Sequence, residues 1–167
     1  MNDGVVDMVS NTGAWVVRLT AAECSEHYLI RERLDPLLLR QSLPGLSQST
    51  IAELHDMALA MADSTDVESF LAADRAFHLL TYSGAPEGTL SQMVERLWNR
   101  TQPYRRAYTT LVGPTHLHAT HLEHELLVEA LERRDPEDAE RILHGHIRRT
   151  RLELERHPEV FEAPSDK

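Results

Sequence analysis

The sequence predicts an all-α protein, an antiparallel bundle of six to seven helices. Apolar residues recur at helical spacing over most of the chain. Glycine is rare inside these periodic segments, and short polar or proline-containing breaks separate them. The strand-like run is AWVVRL at residues 14–19. The 167 residues are enough for one domain with a hydrophobic core.

The chain divides into three expected segments, a linker at 1–19, a helical domain at 20–157 and a flexible tail at 158–167. The predicted helices cover about residues 21–40, 49–61, 67–82, 89–111, 115–133 and 136–156.

The first two helices carry start signals. Thr20 can cap the first helix, and Pro36 is expected to bend or divide it. Thr50 and Glu53 in TIAE resemble a capping box for the second helix. The apolar face predicted for the first helix includes Tyr28, Leu29, Leu34, Leu37 and Leu38.

The later helices are bounded by turn residues. SGAPEG ends the third helix, and Pro103 is expected to kink the fourth. Before the sixth helix, Asp135 can cap and Pro136 suits the first helical position. Asp138 lies in the first turn of the same helix, where its negative charge interacts favourably with the positive end of the helix dipole.

Charge and cysteine content exclude several classes of function. The formal net charge is −10, so we do not expect this chain to bind DNA by itself. Cys24 is the single cysteine, which excludes an internal disulfide and a cysteine-based zinc site. We expect neither a signal peptide nor a membrane-spanning helix, because the first residues are acidic and no apolar run approaches the length that a membrane requires. These features favour the cytoplasm.

The stretch DRAFH places Asp74 and His78 four residues apart, on one face of the third helix. The neighbouring residues Phe70, Leu71 and Phe77 indicate that this face is at least partly buried. A buried carboxylate needs a partner, and an Asp–His pair can supply two ligands to one metal ion. Taken alone, such a pair is more often solvated or mutually paired than bound to a metal ion.

Two further histidines share core-like stripes on other helices. His124 lies in line with Leu127, Val128 and Leu131 on the fifth helix, and His121 could share that stripe. The inward stripe predicted for the sixth helix contains Ala139, Ile142, Leu143, His146 and Thr150. His144 is rotated from His146 by about 200° and faces elsewhere. His116 and His118, near the start of the fifth helix, are expected to be solvated.

The sequence therefore predicts a site for one divalent metal ion built from three helices. Its expected ligands are Asp74, His78, His124 and His146. One carboxylate and three imidazoles suit Zn, Ni, Mn, Fe or Co, with coordination positions left open.

These motifs carry a resemblance to a known family. DRAFH, followed by EHELLVEALERRDPEDAERILHGHI, resembles the FCD domain, the ligand-sensing C-terminal domain of GntR-type transcription regulators of the FadR group. LIRERLDP matches the pattern of the family's first helix with Arg31, Leu34 and Asp35, and TGAWVVRLTAAE is similar to the segment preceding it. The resemblance covers about residues 13–156. SGAPEG lacks the asparagine that the family usually has in this turn.

The resemblance implies a helical bundle around a central cavity, with the metal at its base and a small organic acid as effector above it. Arg31 is the first candidate for an effector-binding arginine, although a surface position fits its helix as well. Arg105 is favoured among Arg100, Arg105 and Arg106 as a second. The family also implies a homodimer that binds DNA only through a winged-helix domain, which is missing from this chain.

We therefore expect the effector-sensing and dimerisation domain of a transcription regulator, and not an enzyme. The alternative is a metal-dependent enzyme that uses the His₃Asp site to activate water. The sequence offers no clear general base or nucleophile for it. A di-iron bundle is disfavoured because no histidine is preceded by Glu at the third position before it. An interaction module with incidental histidines remains the simplest alternative.

Overall fold

The computed structural model describes residues 6–8, 14–16, 18–113 and 116–162. Within these ranges the chain forms the α-helices α1 (Ala21–Ser42), α2 (Gln48–Ala62), α3 (Val67–Thr81), α4 (Thr89–Val112), α5 (His118–Glu132) and α6 (Pro136–Arg156). Two short strands, β1 (Val6–Met8) and β2 (Ala14–Val16), pair antiparallel with Asp7 opposite Trp15. The predicted all-α fold class is confirmed. No helix in the described ranges is both long enough and apolar enough to cross a membrane.

Helix α1 is continuous through Pro36, so the proline does not divide it. Thr20 caps the helix as predicted, because its side chain accepts from the Glu23 N–H at 3.2 Å and Glu23 Oε2 accepts from the Thr20 N–H at 2.8 Å. Proline has no N–H to donate to the carbonyl four residues earlier, which belongs to Glu32. His144 Nδ1 hydrogen-bonds that carbonyl at 2.8 Å, so α6 replaces the missing partner.

The prediction for the α1 surface is wrong in part. Tyr28 and Leu38 are buried, but Leu29 and Leu37 are exposed. The buried face of α1 instead contains Arg31, Glu32 and Asp35. Apolar periodicity does not identify these charged residues as buried. Part of their pairing is with other helices, since Arg31 donates to Thr101 of α4 and Glu32 accepts from Arg151 of α6.

The start of α2 also differs from the prediction. Ser47 is the cap, since its hydroxyl accepts from the Thr50 N–H at 3.0 Å, and the helix begins at Gln48. The proposed Thr50–Glu53 capping box is therefore wrong. Helix α5 begins at His118, three residues later than expected, and Leu117 precedes it as the cap. Asp135 caps α6 as predicted, accepting from the Asp138 N–H at 3.0 Å.

Helix α1 lies along α6, α2 packs on α5, and α5 packs on α6. Helix α4 contacts α1, α3 and α6, and α3 also contacts α2. The largest side chains of the core include Phe70 and Phe77 of α3, so α3 is central to the hydrophobic interior. At this level α3 meets α5, where Phe77 packs against His124, and it meets α6, where His78 packs against His146.

The segment after α6 forms a 3₁₀ turn at Pro158–Phe161. The ring of Phe161 stacks on Tyr104 of α4, with 5.0 Å between the centroids. Phe161 belongs to the tail that we predict to be flexible, and its ring is packed on the helical domain. Residues 163–167 of that tail lie outside the described residues, as does most of the predicted linker.

Candidate metal and effector site

The four predicted ligand residues converge in the interior of the bundle. Asp74 and His78 lie one turn apart on α3, His124 lies on α5 and His146 on α6. Each residue is buried, with at most 5% of its surface exposed. One ligand atom from each of the four lies within 4.8 Å of the others. The cluster is a buried Asp/His₃ group that could hold a metal ion.

The spacing of these atoms fits a single ion. His78 Nε2 and His124 Nε2 are 3.2 Å apart, and Asp74 Oδ1 lies 3.8 Å and 3.4 Å from them, respectively. Tetrahedral bonds of 2.0–2.1 Å would place ligand atoms about 3.3–3.4 Å apart. Asp74 Oδ2 is buried without a hydrogen-bond partner in the described part of the chain. A carboxylate oxygen left in this state is costly unless a cation neutralises it.

The electrostatics of the cluster favour neutral imidazoles. Burial lowers the pKa of His78 and His124 well below the ordinary value of 6.5, and the neighbouring His146 lowers both further. Burial also lowers the pKa of His146, although Glu123 opposes this shift. Metal ions bind neutral imidazole, so the cluster is in the protonation state that a metal needs near neutral pH.

Arg105 is the positive group nearest to the cluster. Its NH2 group lies 3.0 Å from Asp74 Oδ1, and its NH1 group lies 3.4 Å from the hydroxyl of Thr150. Arg105 is buried, whereas Arg106 is exposed and pairs with Glu68 at the surface. Of the arginines considered on α4, Arg105 is therefore the one that reaches the Asp74 carboxylate.

Arg31 is buried in α1 and paired with Asp35. Its Nε and NH2 groups donate to Asp35 Oδ2 at 3.2 Å and 2.8 Å, and its NH1 group donates to Thr101 at 2.9 Å. The guanidinium carbon lies 4.2 Å from the ring centroid of Trp98. The surface position that also fitted the sequence is thereby excluded.

A small cavity separates the two arginines. It is lined by Tyr28, Arg31, Trp98, Arg105, His146, Ile147 and Thr150. Its free space of about 10 Å³ has room for about one water molecule. The family resemblance implies a central cavity for an organic acid, but the space between these two arginines is too small for one.

A larger groove of about 200 Å³ lies at the surface between α2 and α5. Its walls are formed by His55, Ala58, Leu59, Glu125, Val128 and Glu129. None of the four predicted ligand residues lines it. The buried cluster is therefore the candidate functional site.

The FCD domain family matches residues 26–149, which include all four residues of the cluster. The chain belongs to the FCD domain family. The resemblance drawn from the sequence motifs is thereby confirmed. No match to a curated protein was found.

Two solved structures share the fold of this FCD domain. E. coli McbR/YncC superposes with a TM-score of 0.84 at 20% identity, covering 93% of this chain and 79% of that one. A GntR-family transcriptional regulator from Pseudomonas syringae pv. tomato str. DC3000 gives a TM-score of 0.76 at 22% identity. That match covers 93% of this chain and 65% of the regulator, so this chain spans just under two thirds of the regulator's length.

One residue in contact with the cluster is not identified by the sequence patterns. Glu123, which directly precedes His124, accepts a hydrogen bond from His146 Nδ1 at 2.7 Å and from Arg149 Nε at 2.7 Å. Burial opposes the ionisation of Glu123, but the hydrogen bonds from Arg149 and His146 outweigh it and lower its pKa to about 2. The sequence shows that Glu123 precedes His124, but it does not show that the glutamate side chain points toward α6.

The remaining histidines of this region lie outside the cluster. His121 is half-buried and packs edge-on against Phe70, at 5.6 Å between centroids. His118 and His116 are exposed, as predicted. His144 faces α1 instead of the cluster, in agreement with its predicted rotation away from His146.

Proposed function

We propose that this FCD domain is the effector-sensing and dimerisation domain of a GntR/FadR-type transcription regulator. It would bind one divalent metal ion through Asp74, His78, His124 and His146. A small organic acid would bind beside the metal and change the spacing of two DNA-binding domains in a homodimer. DNA would be contacted by a winged-helix domain outside this sequence, and the regulator would work in the cytoplasm.

The observation that carries the proposal is the buried Asp/His₃ cluster. Its ligand atoms lie within 4.8 Å of one another, and Asp74 Oδ2 has no partner among the described residues. Three neutral histidines and one carboxylate would leave a divalent ion with a residual charge of about +1. An anion is therefore the natural ligand for the open coordination positions.

The metal also bears on how Arg105 could bind the acid. Arg105 is paired with Asp74 Oδ1, the oxygen that also faces His78 and His124. A cation bound to that oxygen would neutralise Asp74 and weaken its pull on the guanidinium. Arg105 could then form a bidentate pair with the carboxylate of an organic acid. Since the cavity has room for about one water, Arg105 must move for the acid to enter.

Metal content tests the first part of the proposal. The wild-type protein, loaded with Zn²⁺, Ni²⁺ or Mn²⁺ and then dialysed, should retain about one equivalent by elemental analysis. His146→Ala should lose most of it, whereas His144→Ala, two residues away on the same helix and outside the cluster, should retain it. Equal metal content in the two variants would contradict the assignment of ligands.

Calorimetry tests the effector site. Monocarboxylic, hydroxy and dicarboxylic acids are titrated into metal-loaded wild type, Arg105→Gln and the exposed control Arg106→Gln. The best-binding acid should bind wild type and the control alike, and Arg105→Gln at least tenfold more weakly.

Arg31 is tested in the double variant Arg31→Met, Asp35→Leu, because removing the arginine alone would leave the Asp35 carboxylate buried without its partner. If every arginine variant binds the acid like wild type, the effector site lies elsewhere.

A further inference from the structure

Glu123 faces α6, although the next residue on its helix, His124, faces the cluster. Adjacent residues of an α-helix are rotated by about 100°, so one turn of α5 can contact two different partners. The Glu123 carboxylate accepts from His146 Nδ1 at 2.7 Å. We infer that Glu123 is the positioning residue of the metal centre, holding His146 with its Nε2 lone pair turned toward the other ligands. The inference deepens the proposed function and depends on the metal site proposed there.

The chemistry of this hydrogen bond determines the tautomer of His146. A neutral imidazole has one N–H, and an ionised carboxylate is an acceptor only. A hydrogen bond between Nδ1 and Glu123 therefore requires the proton on Nδ1 and leaves Nε2 free as a ligand. The negative charge of the carboxylate also makes Nε2 a stronger donor of electron density to a metal.

The other two histidines of the cluster are held differently. The Nδ1 atoms of His78 and His124 have no hydrogen-bond partner in the described part of the chain. Both rings pack against Phe77 instead, at centroid distances of 5.3 Å and 4.7 Å. Among the described residues, His146 is the histidine of the cluster whose Nδ1 hydrogen-bonds a carboxylate.

Arg149 holds the glutamate in this position. Its Nε donates to Glu123 Oε1 at 2.7 Å, and its NH2 group donates to Glu123 Oε2 and, at 3.0 Å, to the hydroxyl of Thr120. The guanidinium therefore hydrogen-bonds both carboxylate oxygens, and this bidentate geometry restricts rotation of the Glu123 carboxylate. Oε2 accepts from Arg149 and from His146 at the same time, so the carboxylate links two positions of α6 to α5.

The tautomer of His146 tests the inference without any metal. Nitrogen-15 NMR of the histidine rings is recorded on metal-free wild type, Glu123→Ala, Glu123→Gln and the exposed control Glu125→Ala. His146 should carry its proton on Nδ1 in wild type and in the control. Glu123→Ala should lose this signature, and Glu123→Gln should restore it, because the amide oxygen can also accept. An unchanged His146 signature in Glu123→Ala would overturn the inference.

Cobalt binding gives a second readout on the same four proteins. Glu123→Ala should bind Co²⁺ about 10–100-fold more weakly than wild type, with an altered visible spectrum. The loss in Glu123→Gln should be smaller, and Glu125→Ala should match wild type. Identical affinity and spectrum in Glu123→Ala and wild type would refute the positioning role. If wild type itself binds no Co²⁺, Zn²⁺ or Mn²⁺, the proposed metal site fails, whereas the tautomer measurement still decides what Glu123 does to His146.

Discussion

Replacing Asp35 with asparagine should destabilise the domain strongly. The Arg31–Asp35 pair is 2.8 Å long, and its side chains are only 4% and 0% exposed. At an effective dielectric constant of about 20, unit charges at this distance attract by about 6 kcal/mol. Burial opposes this attraction and raises the pKa of the Asp35 carboxyl even beside Arg31. Asp35→Asn removes the attraction but leaves the Arg31 guanidinium buried, so the free energy of unfolding should fall by about 3–5 kcal/mol.

Urea denaturation followed by circular dichroism measures this loss. Glu68→Gln is the matched control, because the Arg106–Glu68 pair is of similar type but 54% and 58% exposed. The control should lose less than about 1 kcal/mol. The double variant Arg31→Met, Asp35→Leu should recover most of the stability, since neither charge is then buried. A loss in Asp35→Asn no larger than in Glu68→Gln would refute the reasoning that the buried pair is energetically coupled.

Three further predictions concern other parts of the molecule. Burial lowers the pKa of His78, His124 and His146 below the ordinary value of 6.5. As the pH falls below about 6.5, the unfolded chain therefore binds protons at these histidines at a higher pH than the native state does. The urea midpoint of the metal-free protein should therefore fall between pH 7 and pH 5, and a constant midpoint would contradict the shifts. Gly84→Ala should lower the melting temperature, because its Cβ would collide with the backbone of Ser42 and Gly45, whereas Gly145→Ala on the open side of α6 should raise it. Burial raises the pKa of the Cys24 thiol to about 12, so a thiol reagent at pH 8 should label the native protein far more slowly than the urea-unfolded chain.

The sequence by itself determined the helical class, most helix boundaries and the members of the buried cluster. Asp74 and His78 are one helical turn apart, so local spacing alone places them on a common face. His124 and His146 lie in stripes of apolar residues, and burial along each helix follows from that periodicity. Thr20 and Asp135 were recognised as caps because capping depends on residues only three positions away.

Only the tertiary structure decided which polar groups meet across helices. Periodicity assigns Leu29 and Leu37 to the interior, yet the buried face of α1 contains Arg31, whose guanidinium donates to the Thr101 hydroxyl of α4. The Glu32 carbonyl, which Pro36 leaves without its helical partner, hydrogen-bonds His144, 112 positions away from Glu32 in the chain. Glu123 meets His146 because α5 and α6 pack side by side at that level. Contacts of this kind depend on the rotation and height of whole helices, which local sequence patterns do not specify.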